Sequence, residues 1–298
     1  MRKNRYYNYL YVMLLGIIML FFSSSIISGA VSEKPAAALT IAPQKEMLNA
    51  VAGGEVDSFV MVPPGYSPAN YAPAPQEIRD FSEAEIYFSI GVPADIQNIL
   101  PQAEELSGNL KIVKLFEAVD KKFPPRVFKD GGRDPHIWLS PLRSAYMVNI
   151  MAEELAELMP EKKDFFIKNA DSYIKKIKEA DRRNKKLLAK YKGEKILVYH
   201  PSIGYFTDHY NLEMITIEDH GKEPGPRQIQ KIIDEARKEN IKTVFYQSEI
   251  DSKKSRAVAE EIGGKVIQLD PLAENYLGNL TQMAEIMAET LSKRDDLK

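Results

Sequence analysis

Short apolar runs, many of them rich in Val, Ile, Leu and Phe, alternate along the chain with longer segments whose apolar residues recur at helical spacing. This alternation predicts βαβ units and mostly parallel sheets. The apolar runs form two series and predict strands at 39–42, 58–62, 86–90 and 111–115, then at 195–199, 213–217, 241–246 and 265–269. Helices are predicted between them at 43–52, 95–102, 226–239, 252–262 and 275–293. We therefore expect an α/β protein of two lobes, each a mostly parallel sheet flanked by helices.

One segment between the two series has the pattern of a single long helix. Between Pro160 and Gly193 the chain has no glycine and no further proline, and both flanking residues are typical of helix ends. Apolar residues recur in one stripe: Phe166, Ala170, Tyr173, Ile177, Ala180, Leu187 and Tyr191. At 1.5 Å per residue, a helix over 160–192 would be roughly 48 Å long, enough to lie behind both lobes. A two-stranded coiled coil, or two helices broken near Asn184, also fits this pattern.

The N-terminal segment has the composition of an export signal. Arg2, Lys3 and Arg5 precede the apolar stretch 10–22, and small residues follow it up to Ala30. Positive charge ahead of such a stretch predicts that the rest of the chain lies outside the cytoplasm. Cleavage near Ala30 and retention as an uncleaved N-terminal membrane anchor are both open.

These patterns divide the chain into five predicted parts. Residues 1–30 are an export signal or anchor, 31–38 a linker, 39–159 the first α/β lobe, 160–192 the bridging helix and 193–298 the second lobe. A chain of 298 residues is long enough to form two such cores.

Composition and charge restrict the chemistry. The 40 Lys and Arg residues nearly balance the 42 Asp and Glu residues, so the formal net charge of -2 gives no electrostatic reason to expect nucleic acid as a partner. The chain has no cysteine, which excludes disulfides and thiolate ligands. It also has no GxGxxG after a strand, no Walker loop, no HExxH and no GxSxG. Any metal site must therefore use nitrogen and oxygen donors.

Three polar residues form the candidate metal site. His200 directly follows the apolar run 195–199, and Asp270 directly follows 265–269, so both lie at the carboxyl ends of predicted parallel strands. Ligands bind at this edge of an open α/β sheet. His136 lies in the stiff segment Asp-Pro-His-Ile-Trp. Two imidazoles and a carboxylate suit a divalent transition metal, although each residue alone could equally cap a strand or form a turn.

Other polar residues near these strand ends are weaker candidates. Gln247 is expected to orient a metal ligand by hydrogen bonding, because glutamine is itself a poor ligand for zinc. Glu249 is expected to be a solvated turn residue and His209 a surface residue. His220 lies in a loop from which it could reach the crevice, and Trp138 is expected to be a packing residue.

These residues resemble the zinc- or manganese-binding solute-binding proteins of ABC importers, the class in which one long helix bridges two lobes. The likeness extends from about Thr40 to Leu291. It rests on five segments: Pro64–Pro73, Asp134–Pro141, His200 with Gly204–Phe206, Gly221–Pro224 and Leu269–Leu272. The resemblance implies extracytoplasmic capture of a metal ion, zinc first and manganese second, and its delivery to a membrane permease by a monomer that is not an enzyme. Carried over by position, His136, His200 and Asp270 correspond to three of the family's four metal ligands.

The fourth ligand does not carry over. The family has a histidine after the proline of its Gly-x-x-Pro-His-x-Tyr segment, and this chain has Ala69 there. Water, His220 or Glu223 could complete the coordination shell, or the cargo could be a chelated metal whose chelator supplies the missing donor. An open coordination position is also the arrangement of a metal-dependent hydrolase, which is the alternative function. A third possibility is an adhesin-like surface protein in which the metal is structural.

Overall fold

Both predicted sheets are present in the computed structural model of the chain, which describes residues 34–105, 110–218, 224–249 and 252–295. The first sheet has strand order β2-β1-β3-β4, with β1 (Ala36–Leu39), β2 (Asp57–Val60), β3 (Ile86–Ser89) and β4 (Lys111–Lys114). The second has order β6-β5-β7-β8, with β5 (Lys195–Val198), β6 (Glu213–Thr216), β7 (Thr243–Gln247) and β8 (Lys265–Leu269). Every adjacent pair of strands is parallel. The predicted fold class is confirmed.

Helices connect the strands and cover the sheets. They are α1 (Pro43–Ala52), α2 (Pro75–Ser82), α3 (Leu100–Glu105), α4 (Leu115–Lys122), α5 (Pro141–Leu158), α6 (Lys163–Leu188), α7 (Gly204–Tyr210), α8 (Pro226–Lys238), α9 (Ser252–Glu261) and α10 (Tyr276–Asp295). A π-helical turn, Asp95–Ile99, leads directly into α3. Proline at the first position and the Ser140 side chain, which accepts a hydrogen bond from the backbone N–H of Arg143, begin α5.

The first strand begins earlier than predicted. β1 starts at Ala36, inside the segment interpreted as a linker, whereas the predicted strand starts at Leu39. Ala37 and Ala38 are fully buried, and both pair with β2 and β3. Alanine has a low strand propensity, so the sequence gives little sign that these residues form a central strand.

The predicted single long helix is confirmed. Helix α6 continues without a break from the 3-10 turn Pro160–Lys162 and into the 3-10 turn Ala189–Tyr191. It packs against α1, α5 and α10. Asn184 does not break it, because this fully buried side chain donates hydrogen bonds to the Leu280 carbonyl (3.0 Å) and the Tyr210 hydroxyl (3.3 Å).

The main hydrophobic core extends across both sheets. One continuous cluster includes β1 and β3 residues of the first sheet, the buried face of α6, and residues of β5 and α10. A smaller cluster that includes Leu197, Ile233 and Val244 covers the other face of the second sheet. From Pro35 onward the chain forms one compact unit. The limits of the two predicted lobes stay a prediction.

A buried carboxylate organises the carboxyl edge of the first sheet. Asp95 accepts hydrogen bonds from the backbone N–H groups of Ile90 (2.9 Å) and Gly91 (2.7 Å) and from the Thr40 hydroxyl (2.9 Å). It also contacts the Tyr87 hydroxyl. Burial raises the pKa of the Asp95 carboxyl, although these hydrogen bonds oppose the shift. The ends of β1 and β3 are thereby fixed beside the cavity described below.

Among the described residues, none of the helices combines the length and the apolar composition that crossing a bilayer requires. The predicted export signal or anchor at 1–30 lies outside the described residues.

Candidate metal site

A cavity of about 800 Å³ lies at the carboxyl ends of the strands. The segments that line it include those after β2, β3 and β4 of the first sheet and after all four strands of the second. Among the lining residues are Ala69, Gly91, Phe116, His136, His200, Glu218 and Gln247. A crevice is therefore present at the sheet edge where the strand order predicted it.

The first imidazole is held by a buried carboxylate. His136 precedes a 3-10 turn (Ile137–Leu139). Oδ1 of the fully buried Asp134 accepts a hydrogen bond from the His136 backbone N–H (3.0 Å) and lies 2.7 Å from its Nδ1. The other oxygen of Asp134 accepts from Arg126 Nη1 at 2.9 Å. An ionised carboxylate can only accept, so Nδ1 carries the hydrogen and Nε2 keeps a lone pair for a metal.

Arg126 extends this support to α7 in the second half of the chain. Its Nε donates to Asp208 Oδ2 at 2.9 Å, and its backbone N–H donates to the Tyr205 hydroxyl at 2.8 Å. The guanidinium lies against Gly204, where a Cβ would come within 2.4 Å of the guanidinium carbon. Glycine at this position therefore permits the close approach that connects the two halves of the site.

The second imidazole is held in the same way. His200 follows β5, and its Nδ1 lies 2.8 Å from Glu218 Oε2. Glu218 follows the neighbouring strand β6, and its backbone N–H donates to the Tyr199 carbonyl at 2.8 Å. Two adjacent strand ends therefore fix the histidine and its carboxylate, which again leaves Nε2 for a metal.

The two imidazoles lie side by side. The ring centroids of His136 and His200 are 5.7 Å apart, with 79° between the planes. Zinc–nitrogen bonds are about 2.0–2.1 Å long, so both rings are within reach of one ion. Trp138 is almost fully buried, its ring lies 5.3 Å from that of His136, and its Nε1 donates to the Pro271 carbonyl at 2.7 Å.

The electrostatics of the first imidazole favour a neutral ring. Burial lowers the pKa of the His136 imidazole, and this effect exceeds the opposing attraction of Asp134. Burial alone would raise the pKa of the Asp134 carboxyl, but His136 and Arg126 outweigh it and the pKa is lowered. A neutral imidazole beside an ionised carboxylate is the state that binds a metal ion.

Asp270 is not grouped with the imidazoles. It directly follows β8, and its Oδ1 accepts a hydrogen bond from the Leu272 backbone N–H at 3.1 Å. It lines an adjacent pocket, and Glu249 and Leu272 line both that pocket and the main cavity. Partial burial and repulsion from Glu249 raise the pKa of the Asp270 carboxyl. In the parts of the chain that the structure describes, no three His, Asp or Glu residues are close enough together to hold a metal ion. The assignment of Asp270 as a ligand stays a prediction.

Glu249 is less exposed than expected for a solvated turn residue. It is half-buried, and its Oε1 accepts a hydrogen bond from the Ser248 hydroxyl at 2.6 Å. Its buried Oε2 has no hydrogen-bond partner within the described segments. Glu249 therefore places a carboxylate oxygen between the main cavity and the Asp270 pocket.

Ala69 lies on the wall of the main cavity and is exposed there. Its backbone N–H donates to the Ser67 hydroxyl at 3.3 Å, and its methyl group offers no donor to a metal. The position where the resemblance implies a fourth ligand therefore faces the cavity without one.

Of the remaining candidates, Gln247 and His209 are hydrogen-bonded to other side chains, and His220 is not among the described residues. Gln247 donates a hydrogen bond to the Ser202 hydroxyl. His209 is half-buried instead of fully exposed, and its Nε2 lies 2.7 Å from Asp181 Oδ1 on the long helix. His220 lies outside the described residues.

The carboxylates that hold the imidazoles were missed as functional residues. Glu218 directly follows a predicted strand, which is the same signal that identified His200, so the pattern was sufficient to find it. Asp134 lies within the quoted motif but carries no separate sign of its role. Arg126 gives no signal, because its contact with Asp208 exists only once the chain is folded.

Two parallel four-stranded sheets joined by one long helix, with paired imidazoles in the cavity at their edges, are the arrangement of the solute-binding proteins that the sequence resembles. The chain belongs to the family described as ZnuA, zinc-uptake complex component A, periplasmic, which matches residues 38–290.

Relatives of known name agree with this membership. The zinc-binding protein AdcA of Streptococcus pyogenes serotype M3 is 27% identical over 254 residues, which cover 78% of this chain and 49% of AdcA. The chain thus spans about half the length of the first curated relatives that it matches. The manganese ABC transporter substrate-binding lipoprotein PsaA of Streptococcus mitis is 24% identical over 304 residues, covering 95% of this chain and 98% of PsaA. A crystal structure of ZnuA superimposes with a TM-score of 0.81 and 32% identity, over 87% of this chain and 99% of that one.

Proposed function

We propose that the chain is the extracytoplasmic substrate-binding component of a metal-ion ABC importer. It captures divalent zinc, or in second place manganese, and delivers the ion to a membrane permease. The observation that carries this proposal is the pair of adjacent imidazoles, each held at Nδ1 by a carboxylate and each with Nε2 available to a metal. The family and the names of AdcA and PsaA support the same cargo and the same partner.

The proposed ligands are His136, His200 and Asp270. The histidines supply neutral nitrogen donors, and Asp270 supplies a carboxylate from the adjacent pocket. Because Asp270 is not close enough to the two imidazoles to share an ion with them in this structure, its coordination requires the turn after β8 to move towards them. Imidazole nitrogen favours zinc over manganese, which prefers oxygen, so zinc is the first cargo.

We infer that the chain acts as a monomer and is not an enzyme. The family, described as a zinc-uptake component, is one of transport proteins and supports a binding role over a catalytic one. The balanced net charge of -2 supports no role for nucleic acid. Hydrolysis of an ester or phosphoester substrate that disappears in His136→Ala would instead support the alternative of a metal-dependent hydrolase.

Metal analysis of the purified chain tests the proposal. We expect the metal-stripped protein to take up one zinc or manganese ion per chain. Isothermal titration calorimetry then measures the affinity for each metal. His200→Ala should lower the zinc affinity by roughly 100-fold or more, since even loss of an outer hydrogen-bond partner costs about 10–100-fold. His209→Ala is the matched control, because this histidine pairs with Asp181 and does not line the cavity. A chain that takes up no metal would overturn the proposal.

A further inference from the structure

The donors in the cavity fall short of a full coordination sphere. Among the described residues, His136 and His200 lie together but no third His, Asp or Glu completes a metal-holding group. Ala69 faces the cavity with a methyl group. Zinc in proteins is usually bound by four ligands, and manganese prefers octahedral coordination. Taking the proposed function as given, further donors have to be supplied to the metal.

The cavity is much larger than a hydrated ion requires. Its volume is about 800 Å³, whereas one water molecule occupies about 30 Å³ in the liquid. An ion with a few waters would fill only a small part of this space. The volume falls within the range of about 300–1,000 Å³ that is typical of sites for small organic molecules.

The wall contributed by the first half of the chain has a group of apolar and aromatic side chains beside the polar Ser67, Asn70 and Gln97. It includes Val92, Ile96, Phe116 and Phe128, which offer contact surface to an organic molecule but nothing to a bare ion. Phe116 packs directly over Gly91, where a Cβ would lie 2.4 Å from the ring. Gly91 has a φ of +79°, so both its conformation and the ring favour glycine there.

One cation of this wall has an unused donor. The Arg133 guanidinium lies 5.3 Å from the centre of the Phe116 ring, and its Nε donates to Asp120 at 2.6 Å. Its buried Nη1 has no hydrogen-bond partner among the described residues. An arginine N–H is well suited to a carboxylate. Because Nη1 is closed to solvent, a ligand carboxylate would satisfy it only after the guanidinium turns towards the cavity that Arg133 lines.

These observations together lead us to infer that the cargo is a chelated divalent metal, in which a small carboxylate chelator is captured with the ion. As in the proposed function, His136 and His200 bind the metal through Nε2 and Asp270 adds a carboxylate oxygen. The chelator fills the positions that these three ligands leave open. The organic part packs on Phe116 and Phe128, and one carboxylate faces Arg133. This inference deepens the proposed function by naming the form of the cargo.

Native mass spectrometry and calorimetry with three probes test the inference: zinc alone, zinc citrate and zinc nitrilotriacetate. We expect a complex of one chain, one metal and one chelator, and a higher affinity for the chelated zinc than for zinc alone. A chain that takes up one zinc and leaves the chelator in solution would overturn the chelated cargo and leave the proposed function intact. A chain that binds none of the three probes would overturn both.

Two variants separate the metal from its chelator. Ala69→His adds a donor on the exposed wall and should bind zinc alone more tightly, with loss of the preference for the chelated form. Arg133→Gln should weaken retention of zinc citrate by about tenfold, the loss of one charge-assisted hydrogen bond. Lys129→Gln is the matched control, since Lys129 is an exposed cation near Arg133 that does not line the cavity. Equal retention of citrate by both glutamine variants, once thermal melting shows both to be folded, would contradict the role of Arg133.

Discussion

At the scale of single residues, two carboxylate–histidine pairs determine how the site can bind a metal. Each pair fixes the tautomer of its imidazole and the direction of its remaining nitrogen. The two pairs differ in their surroundings. Asp134 is fully buried and is itself paired with Arg126, whereas Glu218 is only partly buried.

Removing the charge from Glu218 should weaken the metal site without destroying it. In Glu218→Gln the His200 ring loses a charge-assisted partner at Nδ1, so the zinc affinity should fall by about 10–100-fold. Calorimetric titration with zinc provides the measurement. Glu213→Gln, at an exposed position of the preceding strand β6, should leave the affinity unchanged. Equal affinities in the two variants would show that the Glu218 contact does not support His200.

At the scale of secondary-structure elements, polar contacts attach the long helix to the second half of the chain. Asp181 on α6 accepts from His209 on α7, and it also pairs with Lys185 one turn along the helix at 2.8 Å. Burial alone would raise the pKa of the Asp181 carboxyl, but the hydrogen bonds from His209 and Lys185 outweigh it and lower the pKa. The ionised carboxylate therefore stabilises the folded state.

Asp181→Asn should lower the free energy of unfolding at neutral pH by about 1.5 kcal/mol, the typical value for a hydrogen bond to a charged group. Because the folded-state pKa is lowered, this stabilisation is complete above the unfolded value of about 3.9 and is lost as the pH falls through the folded-state value. Urea unfolding at several pH values should show the difference from the natural chain shrinking below about pH 4. A difference that grows as the pH falls below about 4 would contradict this account.

The carboxyl edge of the first sheet depends on one buried aspartate. Asp95→Ala would leave the backbone N–H groups of Ile90 and Gly91 buried without an acceptor, so the free energy of unfolding should fall by about 3 kcal/mol. Asp80→Ala, at an exposed position of α2, should change it by less than about 0.5 kcal/mol. Chemical denaturation of both variants measures these values, and a small effect at Asp95 would mean that water replaces the carboxylate.

At the scale of the whole molecule, a continuous core and a long rigid helix oppose hinge motion between the two sheets. The main apolar cluster includes residues of both sheets and of α6, so rotation of one sheet against the other would expose packed surface.

We therefore expect metal binding to rearrange side chains and the turn after β8 but not to close the molecule as a whole. Small-angle X-ray scattering with and without zinc should give the same radius of gyration within error. Hydrogen exchange should slow mainly near His200 and the end of β8. A clear compaction on zinc binding would contradict the rigid connection.

Most of the fold was predictable from the sequence because its signals are local. Runs such as 241–246 and the unbroken stripe of the long helix depend on residue type and spacing alone. The strand at Ala36 was not predictable in its full length, because burial overrides the low strand propensity of alanine. The burial of Asn184 in the long helix was also not predictable, because its hydrogen-bond partners Leu280 and Tyr210 are distant in sequence.

The candidate site was predictable in part for the same reason. His200 follows a strand, and this local signal placed it at the cavity together with His136. Whether Asp270 reaches the two imidazoles depends on the conformation of the turn after β8. The contact of Arg126 with both Asp134 and Asp208 depends on how the two halves of the chain pack together. Neither property is encoded in the spacing of residues along the chain.

The position of Trp138 makes its intrinsic fluorescence a direct signal of cargo binding. It is the single tryptophan of the chain, nearly buried, with its indole N–H fixed to the Pro271 carbonyl and its ring 5.3 Å from that of His136. Cargo that binds the imidazole or shifts the turn containing Pro271 will therefore change the intrinsic fluorescence of one identified chromophore. Emission of the unlabelled protein can thus follow capture and release in real time, without any engineered probe.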